Sequence, residues 1–153
     1  MSTSTSAGPA AGPALSEPRA RGVVDRYMQA WNDHDGPAVT ACMAEDAVYE
    51  DVPVAQVRHG RDEIASYVAE VAGFSSDWHF EAVAFFSLGS AYAVEWVMSG
   101  TNDGPLRGQP ATGRPYRVRG VSVGMLGAEG LIAENRDYWN MADMLAQLGL
   151  IPA

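Results

Sequence analysis

The sequence is poor in cysteine and in positive charge, and each shortage excludes a kind of site or partner. Its single cysteine, Cys42, leaves no internal disulfide and no all-cysteine metal site. Ten Lys and Arg residues are outnumbered by nineteen Asp and Glu residues, which gives a formal net charge of -9 at pH 7. Because nucleic acids and anionic membranes are bound by basic surfaces, this charge argues against both as main partners.

Long apolar runs are absent as well. The longest apolar stretch, residues 91–98, contains Glu95 and is far too short to cross a bilayer. The first fifteen residues carry neither the basic region nor the apolar region of a secretory signal. We therefore expect a cytoplasmic protein with no membrane partner.

The remaining composition is typical of one globular domain. The chain has 153 residues, of which 47% are hydrophobic, so most of it can build one core. Residues 1–16 consist mainly of Ser, Thr, Ala, Gly and Pro and are predicted to form a disordered tail. Residues 17–153 are predicted to form a single α+β domain.

Apolar periodicity predicts helices in the first half of the chain and strands in the second. Helices are predicted over residues 20–33, from Asp35 to the residue before Glu45, and over 61–72 and 141–148; strands are predicted over 47–52, 78–87, 91–101, 116–126 and 131–139. This order indicates three N-terminal helices packed on a strongly curved, mostly antiparallel sheet. Such a cone-shaped α+β barrel leaves a cavity for a small molecule between its sheet and its helices.

Two carboxylates fall on strand faces that would point into this cavity. Asn135, Asp137 and Trp139 share one face of the last predicted strand, and Tyr49 and Asp51 share one face of the first. Burial in an apolar pocket raises the pKa of a carboxylate, which brings it toward the range where it takes a proton from a carbon beside a carbonyl. The sequence therefore indicates general acid–base chemistry.

Each candidate also has a purely structural interpretation. Asp137 next to Arg136 would be a surface carboxylate of an edge strand, and Asp51 would cap a turn. Tyr27 is either a core residue or a hydroxyl that touches substrate, and His79 is either a structural histidine or a pocket residue. No group of His, Cys or Asp shows ligand spacing such as H-x-x-x-H, so neither a metal nor a cofactor is expected.

Two motifs connect the chain to a known family. G-T-N-D-G at 100–104 and G-Q-P-A-T-G-R at 108–114 resemble the G-T-H-x-G…G-x-P-T-G-[RK] loop of SnoaL-like polyketide cyclases. D-Y-W-N at 137–140 and L-A-Q-L-G-L at 145–150 resemble the Y-W-D…L-L-x-Q-L-G ending of these cyclases. The resemblance implies the cone-shaped α+β barrel shared with ketosteroid isomerase, limonene epoxide hydrolase and nuclear transport factors.

The resemblance also implies roles for individual residues. In SnoaL-like cyclases the aspartate that matches Asp137 is the general base of an intramolecular aldol closure, which needs no metal or cofactor. Asn102 stands where the family usually has His, and an amide cannot shuttle a proton near neutral pH. The similarity to ketosteroid isomerase places Tyr27 at its oxyanion-hole tyrosine and Asp51 at its base. Ser122 falls where that enzyme has an acidic donor, so the oxyanion hole would be incomplete.

The similarity to limonene epoxide hydrolase covers residues 49–53, 59–62 and 136–139. In that family the aspartate that matches Asp137 activates water. The Arg and the second Asp of its triad correspond to Trp96 and Met98, which argues against simple epoxide hydrolysis by that triad.

These observations predict a cofactor-independent cyclase or isomerase that acts on a hydrophobic carbonyl or polyketide-like molecule. Asp137 is the predicted base, Asp51 the second acid–base group and Tyr27 an oxyanion donor. The alternatives are an epoxide hydrolase or epoxide-opening cyclase, and a non-catalytic protein that binds small molecules. We expect a homodimer formed through an exposed sheet face. The predicted substrate-binding residues are Tyr49, Trp96, Met98, Asn102, Ser122, Asn135, Trp139 and His79.

Overall fold

The described residues form four helices, and two of them begin at side-chain caps. The computed structural model describes residues 17–153, so the predicted tail over 1–16 lies outside the described residues. The helices are α1 (Glu17–Asn32), α2 (Gly36–Ala41), α3 (Gly60–Phe74) and α4 (Met141–Gln147). Asp35, where the sequence predicts this helix to begin, caps α2, because its carboxylate accepts a 3.0 Å hydrogen bond from the Ala38 amide. Asn140 caps α4 in the same way through the Asp143 amide, also at 3.0 Å.

The sheet has six strands and curls without closing. The strands are β1 (Met43–Asp51), β2 (Gln56–His59), β3 (His79–Leu88), β4 (Ala91–Thr101), β5 (Pro115–Leu126) and β6 (Ile132–Trp139). They lie in the order β2-β1-β6-β5-β4-β3, and all neighbours are antiparallel except β1 and β6. The prediction of an α+β fold with a curved, mostly antiparallel sheet is confirmed.

The first two strands correct the predicted element boundaries. β1 begins at Met43 rather than at Ala47, and its register with β6 shifts between Met43 and Val48. Glu45 and Asp46 are exposed within this irregular part, so their charges do not end the strand. The four residues of β2 lie between two predicted elements, where the sequence predicts no strand; the structure pairs them with β1.

Strand register places a single row of residues along the concave face of the sheet. Phe85, Val94, Ser122, Asp137 and Asp51 are successive partners from β3 to β1. Because side chains alternate between the two faces of a strand, this row points to the side that the helices cover. The second half of the chain therefore delivers two carboxylates to the inside of the fold.

An aromatic cluster fills the space between α1 and the sheet. The ring centroids of Trp31 and Trp78 are 5.5 Å apart, and those of Phe80 and Trp96 are 4.9 Å apart. Trp31, Trp78 and Trp96 are buried, so these rings form part of the hydrophobic core. Among residues 17–153, no helix combines the length and the apolar character needed to cross a membrane.

Candidate active site

The centre of the candidate site is a pair of aspartates on neighbouring parallel strands. Asp51 of β1 and Asp137 of β6 are register partners, and both side chains are buried. The Val52 amide donates a 3.1 Å hydrogen bond to the Asp137 carbonyl, which extends the pairing past the end of β1. Paired residues on adjacent strands lie about 5 Å apart at the backbone and point to the same face. Two carboxyl groups are thus placed side by side.

Asp137 accepts hydrogen bonds from three different strands. Tyr49 of β1 donates its hydroxyl to Oδ2 at 2.6 Å. Ser122 of β5 donates to Oδ1 at 2.6 Å, and the Asn135 amide on β6 itself donates to Oδ1 at 2.8 Å. Three donors to one carboxylate stabilise its ionised form.

Two buried side chains behind Asp137 fix the orientation of its donors. The Trp96 indole N–H donates to Ser122 Oγ at 2.8 Å, so the serine oxygen is an acceptor there and its own hydrogen goes to Asp137. The Tyr92 hydroxyl donates to Asn135 Oδ1 at 2.7 Å, which leaves the amide nitrogen to face the carboxylate. The network is therefore directed toward Asp137 from both sides.

Asp51 has fewer donors and retains more open acceptor positions. Tyr67 of α3 donates to Oδ2 at 2.8 Å, and the Trp139 indole donates to Oδ1 at 2.8 Å. Each carboxylate oxygen has two lone pairs, so each oxygen of Asp51 keeps one that no protein donor uses.

Burial raises the pKa of both carboxyl groups. Burial and the charge of Asp137 raise the pKa of Asp51 to about 6, against the opposing hydrogen bonds from Tyr67 and Trp139. Burial also raises the pKa of Asp137, while its donors Ser122, Tyr49 and Asn135 act in the opposite direction. The pKa values of Tyr49 and Tyr67 lie above the usual range, mainly because both phenols are buried, so both remain hydrogen-bond donors at neutral pH.

A cavity of about 380 Å³ opens beside this pair. The carboxylates of Asp51 and Asp137 line its polar part, together with the hydroxyl-bearing Tyr49 and Tyr67. The rest of the lining is mostly apolar and comes from β3, β4, the end of β6, α3, α4 and the loop after β4. Its main apolar members are Val71, Phe74, Phe80, Trp96, Met98, Leu106, Trp139, Met141, Met144 and Leu145. This volume and lining fit a bulky hydrophobic small molecule.

The structure brings most of the predicted site residues to this place. Asp51, Asp137, Tyr49, Trp96, Met98 and Trp139 line the cavity. Ser122 and Asn135 are buried behind it and contact the ligand space only through Asp137.

Three predicted site residues lie outside the lining of this cavity. Tyr27 is buried and does not line the cavity, and its hydroxyl has no hydrogen-bond partner among residues 17–153. His79 is exposed, because alternation along β3 turns the neighbouring Phe80 inward instead. Asn102 is buried. Its amide nitrogen donates to the Phe74 and Gly104 carbonyls, and its amide oxygen accepts from the backbone N–H and the hydroxyl of Thr112. These hydrogen bonds hold the loop together, and Asn102 does not line the cavity.

Sequence reasoning missed Tyr67 and Arg107. Tyr67 lies among Ile64 and Val68 at helical spacing, and this apolar periodicity indicated a core residue. Its hydroxyl was the only signal that could have indicated a polar partner. Arg107 lies in a Gly- and Pro-rich loop that carries no periodicity, so nothing in the pattern placed it beside the cavity.

Comparison with known proteins identifies the family. Residues 24–135 match the SnoaL-like domain. The chain belongs to the SnoaL-like family. This confirms the family resemblance, and the matched residues include the loop at 100–114 but stop before the ending at 137–150.

Relatives of this SnoaL-like protein include a named cyclase. Cyclase aurE of Calcarisporium arbuscula is 29% identical over 115 residues, which cover 74% of this chain and 82% of that protein. IdmH of Streptomyces antibioticus, a candidate polyketide cyclase, superposes with a TM-score of 0.74 at 23% identity, over 85% of this chain and 98% of that chain. A Catenulispora acidiphila protein with a ketosteroid isomerase-like fold gives a TM-score of 0.73 at 23% identity, over 83% and 92% of the two chains. The structural matches establish the shared fold.

Proposed function

We propose that this SnoaL-like protein is a cofactor-independent cyclase or isomerase that moves a proton on a hydrophobic, polyketide-like carbonyl compound. The observation that carries the proposal is the buried Asp51–Asp137 pair at the edge of an otherwise apolar cavity. Two adjacent carboxylates in one pocket are unfavourable for folding, since each loses its hydration and repels the other. Functional sites are where such an arrangement is retained.

Asp51 is the proposed proton acceptor within the pair. It has an open lone pair on each oxygen, whereas Asp137 accepts three hydrogen bonds. With a pKa of about 6, Asp51 is mainly ionised at neutral pH and is still more basic than an exposed aspartate. Burial makes Asp51 more basic, and whenever Asp137 is ionised its charge adds to this effect. This assigns Asp51 the leading role that the family resemblance implied for Asp137.

The proposed reaction balances without any co-reactant. Asp51 removes a proton from a carbon beside a carbonyl, and the electron pair of the C–H bond moves into an enolate. The enolate carbon attacks a second carbonyl of the same molecule, which forms a C–C bond and an alkoxide. Asp51 returns its proton to the alkoxide, so nothing is gained or lost. In an isomerisation the enolate does not attack a second carbonyl, and Asp51 returns the proton to a different carbon.

Tyr49 and Tyr67 are the proposed donors to the enolate. Both hydroxyls line the cavity and now point to carboxylates. When Asp51 becomes protonated, it no longer attracts the Tyr67 hydrogen as strongly. That hydrogen can then turn to the enolate oxygen, where negative charge has developed.

The test is enzyme-catalysed exchange of carbon-bound hydrogen in deuterated water, followed by NMR on a panel of bicyclic aromatic ketones that begins with 2-tetralone. We expect exchange with the wild-type protein, and a loss of roughly 10²–10⁴-fold in Asp51→Asn. Asp46→Asn is the matched control, because Asp46 is an exposed aspartate of the same strand. Exchange that persists in Asp51→Asn and Asp137→Asn, or a panel member that binds the cavity without exchanging, would contradict the proposal.

Styrene oxide in ¹⁸O-labelled water tests the epoxide alternative on the same variants. Label in a diol product would support hydrolysis, in which water attacks the epoxide. Binding of the ketones with neither exchange nor epoxide opening would support a non-catalytic binding protein.

A further inference from the structure

Arg107 occupies an unusual place beside the cavity. It lies at the tip of a two-residue turn, where Leu106 and Gln109 exchange two backbone hydrogen bonds of 2.9 Å each. Arg107 and Gly108 form the tip with φ values of +51° and +78°. The turn carries Leu106 and Arg107 into the cavity lining, while the Arg107 side chain remains exposed to solvent. Arg107 therefore lies at the rim.

The backbone of Arg107 is strained by this placement. A positive φ is uncommon for residues other than glycine, and the first position of such a turn is usually Asn, Asp or Gly. The Arg107 side chain forms no hydrogen bond within its own turn, so no local contact offsets the cost of this backbone conformation. Strained positions of this kind cluster at ligand clamps and active sites.

The charge of Arg107 is not neutralised within the described chain. Its one side-chain contact of hydrogen-bond type is with Met141 Sδ at 3.4 Å, and no carboxylate of residues 17–153 lies within 4 Å of it. Glu70, another charged residue of the cavity lining, differs from Arg107 because it forms an ion pair with Arg58 at 2.8 Å. Arg107 is the one cationic residue in the described lining, beside Leu106 and Met141.

We propose that Arg107 binds a carboxylate of the substrate at the rim of the cavity, while the apolar body of the substrate extends to the Asp51–Asp137 pair. This identifies the substrate class as a hydrophobic carboxylic acid and rests on the proposed function only for the reaction at the pair. A guanidinium forms two parallel hydrogen bonds to a carboxylate, which fixes both position and orientation. It also offsets the repulsion that an anionic substrate meets from the two aspartates.

Two fluorescent probes of equal shape test the proposal by binding alone. Anthracene-2-carboxylate carries the negative charge at neutral pH, and anthracene-2-carboxamide replaces it with a neutral group. Binding is followed through quenching of Trp96 and Trp139, which line the cavity. We expect Arg107→Gln to weaken binding of the carboxylate about tenfold and to leave binding of the carboxamide unchanged. Added salt should weaken only the carboxylate complex of the wild type.

Arg119→Gln is the matched control, because Arg119 is an exposed arginine on β5 outside the cavity lining. Equal affinity of wild type and Arg107→Gln for the carboxylate would overturn the proposal. So would an equal loss for both probes, which would show that Arg107 only shapes the loop, or an equal loss in Arg119→Gln, which would show a general charge effect.

The binding test is independent of turnover. Asp51→Asn should keep the charge selectivity at Arg107 even if it abolishes proton exchange. Selective binding with no exchange in the wild type would overturn the proposed function and support the rim site. Proton exchange without selectivity for the charged probe would support the proposed function and overturn the rim site.

Discussion

Asp51 and Asp137 are register partners of the two strands that run parallel, although they are far apart in the sequence. Burial raises the pKa of Asp51, and the charge of Asp137 raises it further. The pairing of the first strand with the last therefore adds to the electrostatic property on which the proposed chemistry depends.

Removing the charge of Asp137 should make Asp51 more acidic. In Asp137→Asn, the pKa of Asp51 is expected to fall from about 6 toward 3.8, because the neighbouring anion is gone. It should stay above 3.8, since Asp51 remains buried. NMR titration of the labelled side-chain carboxyl carbons measures both values. Asp46→Asn should leave the Asp51 titration unchanged, and an unchanged titration in Asp137→Asn would show that the two groups do not interact.

The free energy of unfolding of an Asp51 variant, measured relative to that of wild type, should be higher at neutral pH than at acidic pH. The folded-state pKa is raised, so the folded protein holds the Asp51 proton more tightly than the unfolded chain does. Asp51 therefore lowers the free energy of unfolding as the pH rises from 3.8 to about 6. The difference between these values corresponds to about 3 kcal/mol.

Urea denaturation of wild type and Asp51→Asn at several pH values measures this effect. The free energy of unfolding of the variant minus that of wild type should rise by up to about 3 kcal/mol between pH 4 and pH 7. A difference that does not change with pH would mean that Asp51 titrates alike in the folded and unfolded states.

The sequence carried enough information for the fold and for the two carboxylates, but not for the residues that tune them. Alternation alone placed Asp137 beside Asn135 and Asp51 beside Tyr49 on inward faces. It could not show that Tyr67 reaches Asp51, because that contact joins a helix to a strand and depends on how the two pack.

Two residues that were predicted to bind substrate lie outside the cavity lining, and each does so for a physical reason. Alternation in β3 was correct in period, but the aromatic side of the strand is the one that faces inward, so Phe80 and not His79 lines the cavity. Asn102 lies in the loop motif that carries the family resemblance, yet its amide is fully engaged in hydrogen bonds within and beside that loop. Local pattern does not reveal which polar groups are already satisfied.

Ser122 should couple Trp96 to the site. In Ser122→Ala, Asp137 loses one donor and the buried Trp96 N–H loses its acceptor, and each loss destabilises the fold. We expect a decrease of about 1–3 kcal/mol in the free energy of unfolding, and a further rise in the pKa of Asp137. Denaturation and NMR titration measure the two effects.

A double-mutant cycle with Trp96→Phe separates the two losses. Trp96→Phe removes the indole N–H, so Ser122→Ala should cost less in that background than in wild type. Strictly additive effects would indicate that the hydrogen bond between Trp96 and Ser122 contributes nothing to stability.

Asn102 should act on substrate binding through the loop that carries Leu106 and Arg107. Asn102→Ala removes four hydrogen bonds, so amides of residues 103–114 should exchange with solvent faster. Asn102→Asp keeps the two acceptor contacts to Thr112 and loses the two donations, so its exchange should be intermediate. Hydrogen exchange followed by mass spectrometry tests this order. The affinity of Asn102→Ala for the anthracene carboxylate should fall while α3 stays protected; equal loosening of α3 would indicate general destabilisation instead.

The convex face of the sheet should bind a second copy of the chain. Phe86, Ala93, Val123 and Arg136 are successive register partners from β3 to β6, one position out of phase with the row that contains Asp137. Phe86 is 62% exposed and Val123 36% exposed, so an apolar strip crosses this face. We expect light scattering to find a dimer for the wild type and a monomer for Phe86→Glu with an unchanged circular dichroism spectrum. Ile151→Glu, at an exposed apolar residue beyond α4, should remain dimeric. A wild-type monomer, or a dimer that survives Phe86→Glu, would exclude this face as the interface.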